Sequence, residues 1–160
     1  MKPKVYIETS VISYLASSPS RDVIIAGRQA ETHDWWEKHR HRFELYISAL
    51  VEQEIGRGNP AQAVARIARI DGMTSVAISD AAVQVSTTLL QKCAVPTGSE
   101  DDALHIGIAA TQGAEFLLTW NFKHINNAAK KTFIASVVDS CGYKCPLFCT
   151  PAELGGDRND

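Results

Sequence analysis

Long apolar runs are missing from this 160-residue chain, and no segment is long enough to cross a bilayer. The opening residues, MKPKVYIETS, lack the apolar core and small-residue cleavage site of a secretory leader. The expectation is therefore a cytoplasmic protein with no membrane attachment. No Cys-x-x-Cys pair occurs. Cys93, Cys141, Cys145 and Cys149 read as free thiols in a reducing compartment. The last three are spaced by four, which suits a structural zinc site, but Pro146 breaks the helix that would align them, and small buried residues are the favoured reading. A basic excess is missing too. The formal net charge is −2, unlike a protein that coats nucleic acid, so any such partner must be drawn by local basic patches and bound cations. The loops G-x-x-x-x-G-K-[ST] and G-x-G-x-x-G are absent, as is G-x-S-x-G, which argues against those nucleotide-binding folds and that hydrolase type.

What is present is an ordinary globular composition, 45% hydrophobic and 21% charged, in a length that suits one domain over 1–160. Short β-branched and aromatic runs predict strands at 4–8, 44–47, 73–78 and 116–119, with a fifth at 147–150. Between them fall helical stretches. Ser10 is expected to cap a helix reaching residue 16, and a long helix fits 21–40. Ser48 caps the next, which ends in GRGNP, and Asn59 with Pro60 starts another. Ser79 caps a helix to residue 92, and Ser99 one over 100–112 that Gly113 ends. A helix is expected near 128–140, and Thr150 with Glu153 makes a capping box for a short last one. Strands alternating with helices predict an α/β fold, a three-layer α/β/α sandwich with a parallel sheet of four or five strands. In such sheets the working crevice lies outside the carboxyl ends of the strands.

Three acids stand where that crevice belongs. Glu8 ends the first strand, beside the hydroxyls of Thr9 and Ser10. Glu54 lies four residues after Leu50 and shares its helix face, whereas Glu52 and Gln53 point to solvent. Asp102 starts the helix of SEDDALHIGIAA, on one stripe with His105 and Ile106. Converging carboxylates suit Mg²⁺ or Mn²⁺, hard cations that prefer oxygen ligands and that can activate a water and stabilise charge on a scissile phosphate. Each acid also has a plain structural reading. Asp102 can complete a capping box with Ser99, Glu8 can be a partly exposed strand end, and Glu54 a solvated helix acid.

The pieces VYIETSVISYL, ISALVEQEIGRG, EDDALHIGIAA and FLLTWNFKHI, in that order, resemble the PIN-domain family, in particular the VapC-type toxin ribonucleases of type II toxin–antitoxin systems. The similarity runs over nearly the whole chain, and CTPAEL resembles the ending of one PIN subgroup. The resemblance implies a PIN-like fold and Mg²⁺- or Mn²⁺-dependent cleavage of RNA. It carries the family's acidic positions onto Glu8, Glu54 and Asp102 as metal ligands, with Asn121 at a fourth position that is often aspartate. Thr9, Ser10 and Thr119 are then supporting residues for water or substrate. Glu8 stands where most relatives have aspartate, and Asn121 removes a charge, so weaker metal binding is expected. A cognate antitoxin protein and a homodimer are the implied partners besides RNA.

Several other residues have two readings. His105 is a general base or, preferably, a hydrogen-bonded core histidine. His124 can touch RNA from its loop or be structural. The run KHRHR over 38–42 can meet phosphates or be a solvated helix end, and Lys123, Lys130 and Lys131 form a second basic region. At least one of Trp35 and Trp36 belongs to the core, while Trp120 is the better base-stacking residue. Against the endoribonuclease stand an inert PIN-like module that binds RNA or a protein without cutting, and a small hydrolase acting on a phosphorylated metabolite.

Overall fold

The run KVYI forms β1, Lys4–Ile7, and its Val5, Tyr6 and Ile7 have no exposed surface. A strand buried on both faces is what an apolar run in the middle of a parallel sheet provides. The computed structural model describes residues 1–155, so the last five residues of the expected domain lie outside the described residues. The remaining strands are β2 (Glu44–Ser48), β3 (Thr74–Val76), β4 (Phe116–Leu118) and β5 (Leu147–Cys149). All pair in parallel, in the order β3-β2-β1-β4-β5. Five strands form the sheet, the larger of the two numbers expected.

The helices are α1 (Thr9–Ala16), α2 (Val23–Lys38), α3 (Ala49–Ile55), α4 (Pro60–Arg69), α5 (Asp80–Gln91), α6 (Glu100–Thr111), α7 (Lys131–Ser140) and α8 (Pro151–Gly155). They cover the sheet as a three-layer α/β/α sandwich. Helices α5, α6 and α7 pack together, and α1 packs against α2, α3 and α4. Ser48, Asn59 and Ser79 cap their helices as expected, each side chain accepting a backbone N–H. Thr150 and Glu153 complete the reciprocal capping box. Gly113, at φ +74°, takes the left-handed turn that closes α6. No helix among the described residues is long and apolar enough to cross a membrane.

Three starts differ from expectation. α1 is separated from β1 by Glu8 alone and is capped by Glu8, not Ser10. The Glu8 carboxylate accepts the Ser10 N–H at 3.1 Å, an anion at the positive end of the helix. α2 begins at Val23 because the Asp22 carboxylate accepts from both Ile24 and Ile25. α7 begins at Lys131, since the Asn127 side chain accepts the Ala129 N–H and holds the preceding residues in a turn.

The strand order sets the position that matters. From β1 the chain moves to one side through β2 and β3, then returns to β4 and β5 on the other. The reversal falls between β1 and β4, and open parallel sheets place their working crevice outside the carboxyl ends of such strands. Glu8 follows β1 and Thr119 follows β4, so both stand at its floor.

Candidate active site

Glu8 is 6% exposed, a buried carboxylate and not the partly exposed strand end of its plain reading. Burial without donors would be costly for a carboxylate. Here Oε1 accepts hydrogen bonds from the Ser10 hydroxyl at 2.5 Å and the Thr119 hydroxyl at 2.6 Å, and Oε2 accepts the Ser10 N–H. Ser10 Oγ also accepts the Trp120 N–H at 2.9 Å, which ties α1 to the segment after β4. One acid thus clamps the two strands on either side of the reversal.

Glu54 comes from the last turn of α3. Its Oε1 accepts from the Thr9 hydroxyl at 2.6 Å and lies 2.5 Å from His105 Nε2. Burial pushes its pKa up, but the hydrogen bond and charge of His105, then Thr9 and Arg57, outweigh it and leave it below the usual carboxylate value. His105 has no exposed surface, as its core reading requires. Burial pulls its pKa down, yet Glu54, Glu8 and Asp102 around it raise the net value. His105 Nδ1 meets the Tyr6 hydroxyl at 2.7 Å, and that hydroxyl meets Ser48 Oγ at 2.8 Å. Tyr6 was not singled out in the sequence, and Ser48 only as a helix cap. Tyr6 alternates with buried apolar neighbours on a central strand, and only its hydroxyl hints that it serves a polar partner.

Asp102 is half-buried in the first turn of α6. The capping-box reading fails, since the Ser99 side chain makes no cap bond and Glu100 accepts the Gly98 N–H instead. Asp102 Oδ1 accepts from Asn121 Nδ2 at 3.0 Å. Burial raises the Asp102 pKa, the Glu8 charge raises it further, and His124, Asn121 and His105 offset this only in part. Two carboxylates therefore press on each other with too little positive charge between them.

Asn121 is turned away from ligand duty through oxygen. Its Oδ1 accepts the backbone N–H groups of Lys123 (3.1 Å) and His124 (3.0 Å), so the amide nitrogen must face Asp102. Among the described residues no donor reaches Glu54 Oε2 or Asp102 Oδ2, which leaves both free for a cation. Carboxylate or imidazole atoms of Glu8, Glu54 and His105 lie within 4.8 Å of one another. Acidic oxygens this close, in a pocket that already repels its own charge, fit a small hard divalent cation.

Other candidates lie elsewhere or are occupied. Trp120 is 7% exposed and its Nε1–H donates to Thr32, so it has no face left for a base. Phe122, two residues on and 42% exposed, is the open aromatic, with the Arg28 guanidinium over its ring at 5.1 Å. Trp35 and Trp36 are both core. The basic run precedes β2, at the opposite end of the sheet from the acids. Lys38 pairs with Asp34, and Arg40 and Arg42 lie over Trp36 and Phe43. Lys123 adjoins Asn121 and is the nearest lysine to it in sequence. Among the described residues no cysteine joins a cluster of metal-ligand spacing.

No protein-family model matches the chain. No curated protein matches it in sequence. Solved structures do match in shape. VapBC2 from Rickettsia felis, crystallised with a DNA fragment from its promoter, superposes with a TM-score of 0.58 at 12% identity, over 92% of this chain and 98% of that one. VapC20 of Mycobacterium tuberculosis, a toxin that cleaves the sarcin–ricin loop, gives 0.58 at 16% identity, over 75% of this chain and 92% of that one. The likeness shows that this chain shares its overall fold with these solved structures.

Proposed function

We propose that the protein is a metal-dependent endoribonuclease, the toxin half of a toxin–antitoxin pair, that hydrolyses RNA phosphodiester bonds with Mg²⁺ or Mn²⁺. The observation that supports the reading is the cluster of Glu8, Glu54 and His105, whose ligand atoms lie within 4.8 Å of one another, with Asp102 near enough to Glu8 for that charge to raise its pKa. The cation, when bound, supplies the activation of water and the neutralisation of charge on the phosphate. The chain's residues have separate tasks. Ser10 and Thr119 hold Glu8, Thr9 and His105 hold Glu54, and Asn121 holds Asp102. Glu54 Oε2 and Asp102 Oδ2, which accept no hydrogen bond among the described residues, would be the oxygens available to hold the cation. Three negatives without a fourth give a site that binds the cation more loosely than four acids would.

The fold likeness to VapC proteins supports the assignment to RNA and the expectation of an antitoxin. An antitoxin would find uncovered apolar side chains at Val23 and Ile24 on the first turn of α2 and at Val64 and Ile67 on α4, the two helices that flank α1. A homodimer and a cytoplasmic setting remain part of the proposal.

The test is mixed-sequence RNA incubated with Mg²⁺, with Mn²⁺ and with chelator, beside an Asp102→Ala variant purified identically. Cleavage that needs metal and vanishes in the variant is the expected result. The neutral Asn121, its amide oxygen already engaged, favours a second reading as an inert module that binds RNA or a protein. A well-folded protein that cuts nothing with either metal would favour that reading or a very narrow RNA target.

A further inference from the structure

Judged by distance alone, His105 is a cation ligand, since its imidazole lies within ligand reach of Glu8 and Glu54. The hydrogen bonds around the ring say otherwise. Ser48, Tyr6, His105 and Glu54 form one buried chain, with contacts of 2.8, 2.7 and 2.5 Å. At its far end Ser48 Oγ accepts the Val51 N–H, and at the near end Glu54 Oε1 also accepts from Thr9.

Proton placement along this chain is constrained. A carboxylate oxygen only accepts, so Nε2 must carry a hydrogen and donate. In the neutral ring Nδ1 then accepts from Tyr6, and Tyr6 in turn accepts from Ser48. In the charged ring Nδ1 donates to Tyr6, and Tyr6 donates to Ser48. Both arrangements leave the Nε2–H pointed at Glu54, and the neutral one also gives the Ser48 hydroxyl hydrogen an acceptor in Tyr6, which the charged one does not. The other neutral tautomer would set the Nε2 lone pair against the Glu54 oxygen at 2.5 Å. No cation can use Nε2 without breaking that bond.

We propose that His105 is a positioning residue, not a ligand: the Ser48–Tyr6–His105 chain fixes the ring so that Nε2–H holds Glu54 Oε1 and turns Oε2 toward the cation. This rests on the metal-site reading above and assigns a role to three residues outside the acidic set. The arrangement follows the general behaviour of metal sites, where the partners of a ligand set its orientation and their loss weakens binding about 10- to 100-fold.

Two measurements on the full chain test it. The first is the ¹⁵N spectrum of the His105 ring, with and without saturating Mg²⁺. The expected pattern keeps hydrogen on Nε2 in both samples. Loss of that hydrogen on adding the cation, with Nδ1 becoming the protonated nitrogen, would make His105 a ligand and overturn the proposal. The second is Mn²⁺ affinity by electron paramagnetic resonance for wild type, His105→Leu, His105→Gln and Tyr6→Phe, each checked for folding by circular dichroism. Leu is expected to weaken binding about 10-fold or more. Gln, which keeps an N–H donor, should recover part of it, and Tyr6→Phe, which removes the anchor on Nδ1 and lets the ring shift, should lose a few-fold. Tyr6→Phe changes one atom and keeps the core, so it serves if His105→Leu does not fold. Folded variants that bind Mn²⁺ like wild type would refute the positioning role while leaving the nuclease reading intact. A wild type that binds no Mn²⁺ would remove both.

Discussion

At the scale of single residues the sharpest tension is the carboxyl of Asp102, held near Glu8 by the ends of two different elements. Its pKa is raised by burial and by the Glu8 charge. The sign follows from linkage. The unfolded chain releases this proton at lower pH than the folded one, so stability falls as pH rises from the ordinary aspartate value through the raised one, and the loss persists above it. Asp102→Asn should therefore melt higher than wild type at pH 7 without metal, with the difference shrinking towards pH 4. Thermal scans across that range, with and without Mg²⁺, check both this and the loss of any Mg²⁺-induced rise in the variant. An equal melting temperature at pH 7 would mean that the carboxylate is not under pressure. Asn121→Asp should do the reverse, because its oxygens can still accept the Lys123 and His124 N–H groups. Its added charge should lower the metal-free melting temperature and enlarge the Mg²⁺-induced shift. The acids were legible in the sequence because each sits at a strand end or on an apolar helix face. Their holders were less so. Thr119 bonds Glu8 across 111 residues, and His105 bonds Glu54 across 51, pairings that only tertiary structure creates. The same cause misdirected the expectation for Trp120, whose indole is claimed by Thr32 from a helix far away in the chain.

Among the elements, the contact between α5 and α6 depends on an absent side chain. A Cβ on Gly107 would lie 2.4 Å from the backbone oxygen of Ala82, which cannot swing aside as a side chain can. Gly107→Ala would gain helix propensity, roughly 1 kcal/mol. Forcing two helices apart costs about 1–3 kcal/mol, and strain against backbone sits at the upper end. The expected outcome is net destabilisation, read as a lower urea midpoint with an unchanged slope. A midpoint at or above wild type would show that the helices can separate freely. Because Asp102 and His105 ride on α6, the same variant should bind Mn²⁺ less well even where it stays folded. The strands β1, β2 and β4 were readable from apolar runs, and most helix starts from Ser, Asn or Thr. The start of α1 was not, because a glutamate in cap position is unusual and is chosen here by the fold around it. Nor did the sequence reveal that α7 begins late, since its delay comes from the Asn127 turn.

For the whole molecule, solvent access grades the four thiols. Cys93 is exposed, while burial pushes Cys145 and Cys149 up to about 12. At pH 8 a thiol with that pKa is ionised to about one part in ten thousand, and the thiolate is the reactive form. A disulfide reagent at pH 8 should therefore modify Cys93 first and reach Cys145 and Cys149 only on the timescale of unfolding. Rapid modification of all four in native buffer would contradict the burial of β5 and its neighbours. The order of strands in the sheet was the least readable feature, because alternation of elements predicts parallel pairing but not which strand sits in the middle. That order has a consequence for synthesis. β1 is made first, yet one of its two flanking strands, β4, is made after two-thirds of the chain. A ribosome that has finished the first hundred residues has produced Glu8 and Glu54 but neither Asp102 nor the Thr119 hydroxyl that pins Glu8. The acids meet only when the late strand slots in beside the earlier one, so under the proposed function the growing chain would carry no assembled site until β4 has been made.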